Sequence, residues 1–138
     1  MEGLRRLAVG FALCFLVASS DVQANMERCA SVPSGPCVAR ASWYGNEFHG
    51  RRMANGDVFN AHDPRTVAHK HLPFGTRLGL VNPETGRSIE VVVRDRGPYV
   101  GRRQLDLSYA AAKKLGFVRD GHAELLVKYV RPPAPERK

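Results

Sequence analysis

The 138-residue chain lacks any apolar run close to the roughly 20 residues that a membrane-spanning helix requires. It also lacks a Gly-rich phosphate-binding loop, and neither Ser42 nor Ser108 has the surroundings of a nucleophile elbow. With only 3 cysteines, it does not supply the roughly four close ligands of a structural zinc site. These absences exclude a multi-span membrane protein and give no support to a nucleotide-binding enzyme or a serine hydrolase.

Acidic residues are in the minority, with 13 Asp+Glu against 21 Lys+Arg and a formal net charge of +8. This balance favours a polyanionic partner without identifying it. Hydrophobic residues make up 43% and charged residues 25% of the chain, which is the range of ordinary globular proteins. The length predicts one domain.

Residues 1–24 are typical of a secretory signal peptide. Arg5 and Arg6 precede a mostly apolar stretch at 7–18, and Val22 and Ala24 supply small residues at the −3 and −1 positions of an expected cleavage after Ala24. A helix over 7–18 would rise only about 18 Å, so we expect no membrane anchor after cleavage. The sequence therefore predicts a soluble protein that is periplasmic or secreted. Export argues against a nucleic-acid partner.

Export leaves two cysteines, Cys29 and Cys37, in an oxidising compartment, where a disulfide between them is the simplest state. The short loop between them contains two prolines. A disulfide closing it would contribute about 2–3 kcal/mol through the unfolded state. We expect it to hold an N-terminal arm, residues 25–37, against the domain.

Hydrophobic patterning predicts a mainly β domain. The predicted strands are 38–44, 76–81, 88–94, 104–107 and 123–130. Turn residues at 82–86 join the second and third of them into a hairpin, and Ser108 is the predicted N-cap of a helix that Gly116 ends. Residues 46–63 form a loop long enough to suggest function, and 131–138 read as a flexible tail. Several short strands with one or two short helices indicate a small β-barrel.

Few residues are suited to chemistry. Asp57 lies in the long loop. Asp95 precedes a Gly-Pro turn and Asp106 precedes the predicted helix. In these places a carboxyl group also serves simply as a turn or capping residue. His69 and His71 would share one face of a strand, but two ligands do not make a metal site, so we expect neither metal nor cofactor.

Aromatic residues flank several Gly or Pro turns: Trp43, Tyr44, Phe48 and Tyr99. Rings at exposed turns often stack on sugars, although they more often fill a small core.

Several short segments follow one another along the chain: ASWYG at 41–45, FHGR at 48–51, ANG at 54–56, AHKHLP at 68–73, Asn82 with GRS at 86–88, DRGP at 95–98 and DLSYAAA at 106–112. Together, and in this order, they resemble the rare lipoprotein A (RlpA) family. The resemblance covers about residues 39–130. It implies a six-stranded double-psi β-barrel over 38–130, similar to the first domain of expansins. It also implies an endolytic peptidoglycan transglycosylase associated with the septal ring.

Such an enzyme cleaves the MurNAc–GlcNAc β-1,4 bond of glycan strands, prefers strands stripped of stem peptides, and leaves 1,6-anhydro-MurNAc ends. The resemblance places catalytic roles on Asp95, His69, Asp57 and Asp106. Asp95 is the expected acid/base, His69 and Asp57 position the substrate or tune that acid, and Asp106 competes for the proton-donor role. The expected substrate-binding residues are Trp43, Tyr44, Arg94, Arg96 and Tyr99.

The sequence also departs from the family pattern. Asp57 is one carbon shorter than the usual Glu, and one residue is inserted between it and His69. We expect neither lipid attachment nor a C-terminal peptidoglycan-binding repeat domain. The Asp57 substitution and the expected lack of that targeting domain favour the alternative of a non-catalytic, expansin-like peptidoglycan-binding module. A secreted barrel that inhibits another protein has no motif in its favour. We expect a monomer that binds peptidoglycan glycan strands, with other cell-wall or division proteins as further candidate partners.

Overall fold

The computed structural model describes Cys29 and residues 36–136. The predicted signal peptide and most of the predicted N-terminal arm lie outside these residues. In the described part of the chain, six strands form a closed barrel: β1 (Cys37–Trp43), β2 (Thr66–Ala68), β3 (Arg77–Val81), β4 (Ser88–Asp95), β5 (Leu105–Leu107) and β6 (His122–Arg131). One α-helix, α1 (Tyr109–Leu115), and a short 3-10 helix (Asn46–Phe48) complete the fold. The prediction of a mainly β, six-stranded barrel with one or two short helices is confirmed.

Around the barrel the strands follow the order β1-β5-β2-β4-β3-β6. The pairs β1–β5 and β2–β4 are parallel, and the other neighbours are antiparallel. Side chains alternate between the two faces of each strand, and the apolar ones fill the interior of the barrel. In β4, for example, Val91 and Val93 are fully buried while Glu90 faces outward. The interior is therefore an apolar core, and chemistry is confined to the barrel's surface.

The strongest local predictions hold. β3 and β4 form the predicted hairpin, and the Asn82 side chain both shapes the turn and donates to the Leu115 carbonyl oxygen at 2.8 Å. Ser108 Oγ accepts from the Ala111 N–H at 3.2 Å, and Gly116 ends α1 with φ of 81°.

The structure differs from the sequence-based prediction in two places along the chain. β2 was not predicted, because three residues are too few to show a period of two. His69 and His71 do not share a strand face, because the strand ends at Ala68. Beyond that point His69 is buried and His71 is exposed.

The 46–63 loop is more ordered than its sequence suggests. Arg52 and Val58 form an isolated antiparallel bridge, which folds the loop back on itself. Met53, Phe59 and Ala61 make a second small core, against which Tyr44 and Tyr109 pack. The loop is thus anchored to the end of β1 and the start of α1.

At the chain termini the structure describes only part of what was predicted. Cys29 and Cys37 are joined by a disulfide with a Cα–Cα distance of 5.9 Å, and Cys29 is buried against the barrel. Residues 132–136 are exposed and have no regular structure. No described helix combines the length and apolar character needed to cross a membrane.

Candidate active site

The short central strand β2 brings two acids together. Ala68, its last residue, pairs with Asp106 of β5 on one side and with Asp95 of β4 on the other. Neighbouring strands lie about 4.8 Å apart, so the backbones of the two acids are roughly 10 Å apart. Both carboxyl groups border the same open cleft.

Asp106 is half-buried and accepts a hydrogen bond from a neighbouring strand. Ser42 lies opposite it on β1, and the Ser42 hydroxyl donates to Asp106 Oδ1 at 2.8 Å. Burial raises the pKa of the Asp106 carboxyl, while the Ser42 hydrogen bond and the charge of Arg103 lower it and the charge of Asp95 raises it. The net effect is a raised pKa, which is what a proton donor near neutral pH requires.

Asp95 is held by three donors. The Tyr44 hydroxyl reaches Oδ2 at 2.8 Å, and the backbone N–H groups of Ala54 and Arg96 reach Oδ1 at 2.9 and 2.8 Å. Burial, together with the hydrogen bond to Asp95, raises the pKa of Tyr44 well above its ordinary value. Tyr44 therefore remains a neutral donor, and the Asp95 carboxylate is fixed as an acceptor.

The cleft has a volume of about 620 Å³. Its walls combine the two acids with aromatic and basic side chains. Besides Asp95 and Asp106, these include Trp43, Tyr44, Glu47, Phe48, Arg51, Arg52, Phe59, Arg96, Tyr99 and Arg103. This mixture suits a carbohydrate, because rings pack on sugar faces and polar groups bind hydroxyls.

A second hollow, of about 840 Å³, lies beside the first and shares Arg103 with it. Its acids are Glu84, Asp120 and Glu124, all exposed. Glu124 makes a surface ion pair with Arg40 at 3.5 Å. The smaller cleft is the better candidate because it alone holds a half-buried acid with a raised pKa.

His69 is not part of the cleft wall. The side chain is 2% exposed, Nδ1 accepts from the N–H groups of His71 and Leu72, and Nε2 lies 3.1 Å from the Cys29 carbonyl oxygen. Two donors at Nδ1 leave Nε2 as the protonated nitrogen, which donates to Cys29. Burial lowers the pKa of His69. Its contact with Asp95 is through the backbone, where the His69 N–H donates to the Asp95 carbonyl.

Asp57 is also outside the cleft lining. It is exposed and closes a small ring with Asn55, in which Asn55 Nδ2 donates to Asp57 Oδ2 and the Asp57 N–H donates to Asn55 Oδ1. Its place in the 46–63 loop is close to Ala54, whose N–H binds Asp95. The structure therefore gives Asp57 a loop-shaping position and no direct access to the cleft.

The two arginines next to Asp95 are occupied within the fold. Arg94 donates to Asp63 Oδ2 at 3.0 Å and does not border the cleft. Arg96 borders it, but its guanidinium binds the carbonyl oxygens of His69 and Leu72 and lies over the Phe74 ring. Arg94 therefore does not line the cleft, and Arg96 lines it with a guanidinium that is already hydrogen-bonded within the fold.

The expected aromatic residues do reach the cleft. Tyr99 is 74% exposed and stands at its edge, where a sugar ring can pack. Trp43 lies against Tyr109, and its indole N–H finds no partner among the residues described. The Tyr44 ring contacts Phe48 and Phe59 and forms part of the cleft wall. Its hydroxyl donates a hydrogen bond to Asp95.

Two contributors to this site were not predicted from the sequence: the Ser42 hydroxyl and the Ala54 N–H. Ser42 carries a local signal, because it lies one residue before the Trp-Tyr pair in a strand. The Ala54 N–H reaches Asp95 from a chain segment 41 residues away. In residues 29 and 36–136 no three or more His, Cys, Asp or Glu side chains are arranged to hold a metal ion.

The geometry agrees with what comparisons with known proteins show. Residues 37–129 match the model of the lytic transglycolase family, which is built on a double-psi β-barrel. The chain is 56% identical over 91 residues to the probable endolytic peptidoglycan transglycosylase RlpA of Aquifex aeolicus, covering 66% of this chain and 40% of that protein. It is 44% identical over 95 residues to RlpA of Pseudomonas aeruginosa, covering 69% and 28%. The chain thus spans less than half the length of these relatives.

Solved structures show the same barrel. The Streptomyces papain inhibitor superposes with a TM-score of 0.57 at 26% identity, covering 73% of this chain and all of that one. Apo expansin of Clavibacter michiganensis superposes with a TM-score of 0.54 at 26% identity, covering 72% and 52%. The match over residues 37–129, together with the identity to the RlpA relatives, shows that the chain belongs to the RlpA-type lytic transglycolase family.

Proposed function

We propose that this protein is a peptidoglycan lytic transglycosylase that acts outside the cytoplasm. The observation that carries the proposal is Asp106, a half-buried acid with a raised pKa in a cleft lined with aromatic rings. Relatives of this chain are named endolytic peptidoglycan transglycosylases. The fold alone does not decide the function, because the same barrel serves in a papain inhibitor.

Asp106 is the proposed proton donor. Its proton passes to the glycosidic oxygen as the bond between C1 of MurNAc and O4 of GlcNAc breaks. An oxocarbenium-like state develops at C1, and the C6 hydroxyl of the same MurNAc closes onto C1. The O6 proton returns to the Asp106 carboxylate. No water is consumed, and the product ends in 1,6-anhydro-MurNAc, so one well-placed acid serves as acid and then as base.

Asp95 supports this step without donating a proton. Its negative charge raises the pKa of Asp106, and it stands where it can stabilise positive charge developing on the sugar. The three donors that hold Asp95 fix its two oxygens as hydrogen-bond acceptors. The proposal therefore reverses the roles expected from sequence, in which Asp95 was the acid/base and Asp106 its competitor.

The finer features of the substrate and setting follow from the family resemblance. We propose strands stripped of stem peptides as the preferred substrate, a periplasmic or secreted location, and action as a monomer. The signal peptide expected at 1–24 supports the location.

The test is product analysis. Purified protein is incubated with peptide-free glycan strands, and the soluble products are measured by mass spectrometry. We expect fragments with anhydro-MurNAc ends, each one water lighter than a fragment with a reducing end. Reducing ends would mean hydrolysis and contradict the mechanism. Absence of cleavage by folded protein that binds the strands would favour the alternative, a non-catalytic wall-binding module of the expansin type.

A further inference from the structure

The cleft carries more positive charge than its own acids balance. Arg51, Arg52 and Arg103, here called the basic rim, all line it. Arg103 Nε donates to the Val100 carbonyl at 3.1 Å, and Arg52 Nη1 donates to the Gly56 carbonyl at 3.0 Å. The Arg51 guanidinium lies 5.5 Å from the centre of the Phe48 ring. These contacts orient the three side chains and neutralise no charge.

Four other described arginines are paired with acids: Arg40, Arg65, Arg77 and Arg94 each lie within 4.0 Å of a carboxylate oxygen. No described acid pairs with Arg87, Arg96, Arg102, Arg119 or Arg131. Of these five only Arg96 borders the cleft, and its guanidinium already binds two carbonyl oxygens of the fold, so the rim is distinguished by bordering the cleft with less engaged guanidinium groups. For the three arginines of the basic rim, no carboxylate of Cys29 or residues 36–136 comes within that distance. A guanidinium is weakly hydrated and its fork matches a carboxylate, so this rim is suited to a carboxylate on the ligand.

Peptidoglycan has such a group next to the reacting bond. Each MurNAc carries a lactyl ether on C3, which ends in a free carboxylate where the stem peptide has been removed and in an uncharged amide where it remains. C3 and the reacting C1 belong to one sugar ring. A sugar placed with C1 at Asp106 therefore brings its lactyl group among the side chains around that acid.

Arg103 is the rim residue best placed to meet it. The positive charge of Arg103 lowers the pKa of Asp106. Arg103 also lies just before β5, the strand that carries Asp106. Arg51 and Arg52 reach the cleft from the 46–63 loop, a different segment of the chain, and are available to the carboxylate of another MurNAc of the same strand.

We infer that the basic rim is an anion subsite for the lactyl carboxylates of glycan strands, in which Arg103 binds the carboxylate of the MurNAc that reacts. The inference rests on the proposed function, since it places the same substrate in the same cleft. It assigns to named side chains the ability to distinguish a free lactyl group from one that bears a peptide. The chemistry recognised is the charge, so an amide on the lactyl group lowers affinity even without the bulk of a peptide.

The test compares two ligands that differ only in that charge. One is a peptide-free glycan strand, and the other is the same strand with its lactyl carboxylates converted to N-methyl amides. Binding is measured by calorimetry in the Asp106→Asn background, which prevents turnover. We expect the free strand to bind about tenfold more tightly, the usual effect of a charged hydrogen-bonded pair. Arg103→Gln should remove most of this preference, and Arg103→Lys should restore part of it.

Arg119→Gln is the matched control, because Arg119 is exposed and lies away from the cleft. It removes the same charge from the protein and should keep the full preference. Equal binding of the two strands by the protein with an intact rim would overturn the inference, as would an unchanged preference in Arg103→Gln. Failure to bind either strand would overturn both the subsite and the proposed function. A preserved preference in a protein that cleaves no strand would overturn the proposed activity and leave the subsite standing.

Discussion

Two polar side chains, those of His69 and Asp106, lie near the end of β2, and they differ in how much of their hydrogen-bonding capacity the protein uses. On one side, His69 is 2% exposed and both ring nitrogens are bonded to backbone groups. On the other, Asp106 has one hydrogen bond from Ser42 and borders an open cleft. Burial lowers the pKa of His69 and raises that of Asp106, and each shift favours the uncharged form.

The comparison separates a group that holds the fold from a group that can act on a ligand. The ring of His69 connects β2, the segment after it and Cys29, so its hydrogen-bonding capacity is spent on the protein. Asp106 keeps an oxygen for the cleft. Catalysis requires a group that can exchange a proton with the substrate, and a satisfied, inaccessible ring cannot do so. Four variants test this division, beginning with the one of largest expected effect.

Replacing Asp106 should remove activity without unfolding the protein. We expect Asp106→Asn to lower the rate of anhydro-MurNAc release by about 10³-fold, the scale of general acid catalysis, with little change in thermal stability. Asp95→Asn should have a smaller effect, because Asp95 acts through charge. Asp120→Asn, an exposed acid outside the cleft, is the control. A larger loss in Asp95→Asn than in Asp106→Asn would return the acid role to Asp95.

Replacing His69 should lower stability and leave the activity of the folded protein in place. His69→Ala leaves two N–H groups and one carbonyl without their partner, so we expect the free energy of unfolding to fall by about 2–4 kcal/mol. Denaturant titration measures the loss, and activity is then expressed per folded molecule. His69→Gln, which keeps an acceptor and a donor, should recover part of the stability. Full stability with lost activity in either variant would give His69 a catalytic role after all.

Removing one hydroxyl tests how Asp95 is held. Tyr44→Phe keeps the ring against Phe48 and Phe59 and removes the 2.8 Å bond to Asp95. We expect about a tenfold lower rate and a shifted pH profile, since the charge of Asp95 bears on Asp106. Tyr129→Phe is a close control: it removes a tyrosine–carboxylate bond, to Glu90 at 2.6 Å, which lies away from the cleft. Equal pH profiles for the two variants would contradict the positioning role.

The smallest effect is expected at Asp63, which joins the 46–63 loop to the barrel. Burial alone would raise the pKa of its carboxyl, but hydrogen bonds from Arg65 and Arg94 outweigh it and lower the pKa to about 2. The folded state thus favours the ionised form, and this stabilisation is present above the unfolded pKa of 3.8 and lost as pH falls toward 2.

We therefore expect Asp63→Asn to lower stability by about 1 kcal/mol at neutral pH, after allowance for solvent screening. The gap between the two proteins should close as pH falls below about 4, as measured by thermal unfolding across pH. A gap that is independent of pH would show that shape, and not charge, is what Asp63 contributes.

Local pattern was a good guide where neighbours in sequence are also neighbours in space. The β3–β4 hairpin, the Ser108 cap and the Gly116 stop were all predictable, because their hydrogen bonds span few residues. Asp95 and Asp106 were singled out by their places before a turn and a helix. Local pattern failed at β2, which is too short to show alternation, and at His69, whose burial depends on Cys29, 40 residues away.

Alternation, turn residues and short motifs are local properties of the chain, so the β class, the family and the candidate acids could be predicted without a structure. Which of the candidate acids share a cleft depends on how the barrel folds. Ala68 lies between Asp95 and Asp106 because of barrel order, and Ser42 meets Asp106 across a separation of 64 residues. Burial, and with it the pKa of each group, depends on everything that packs around a side chain, which no short segment contains.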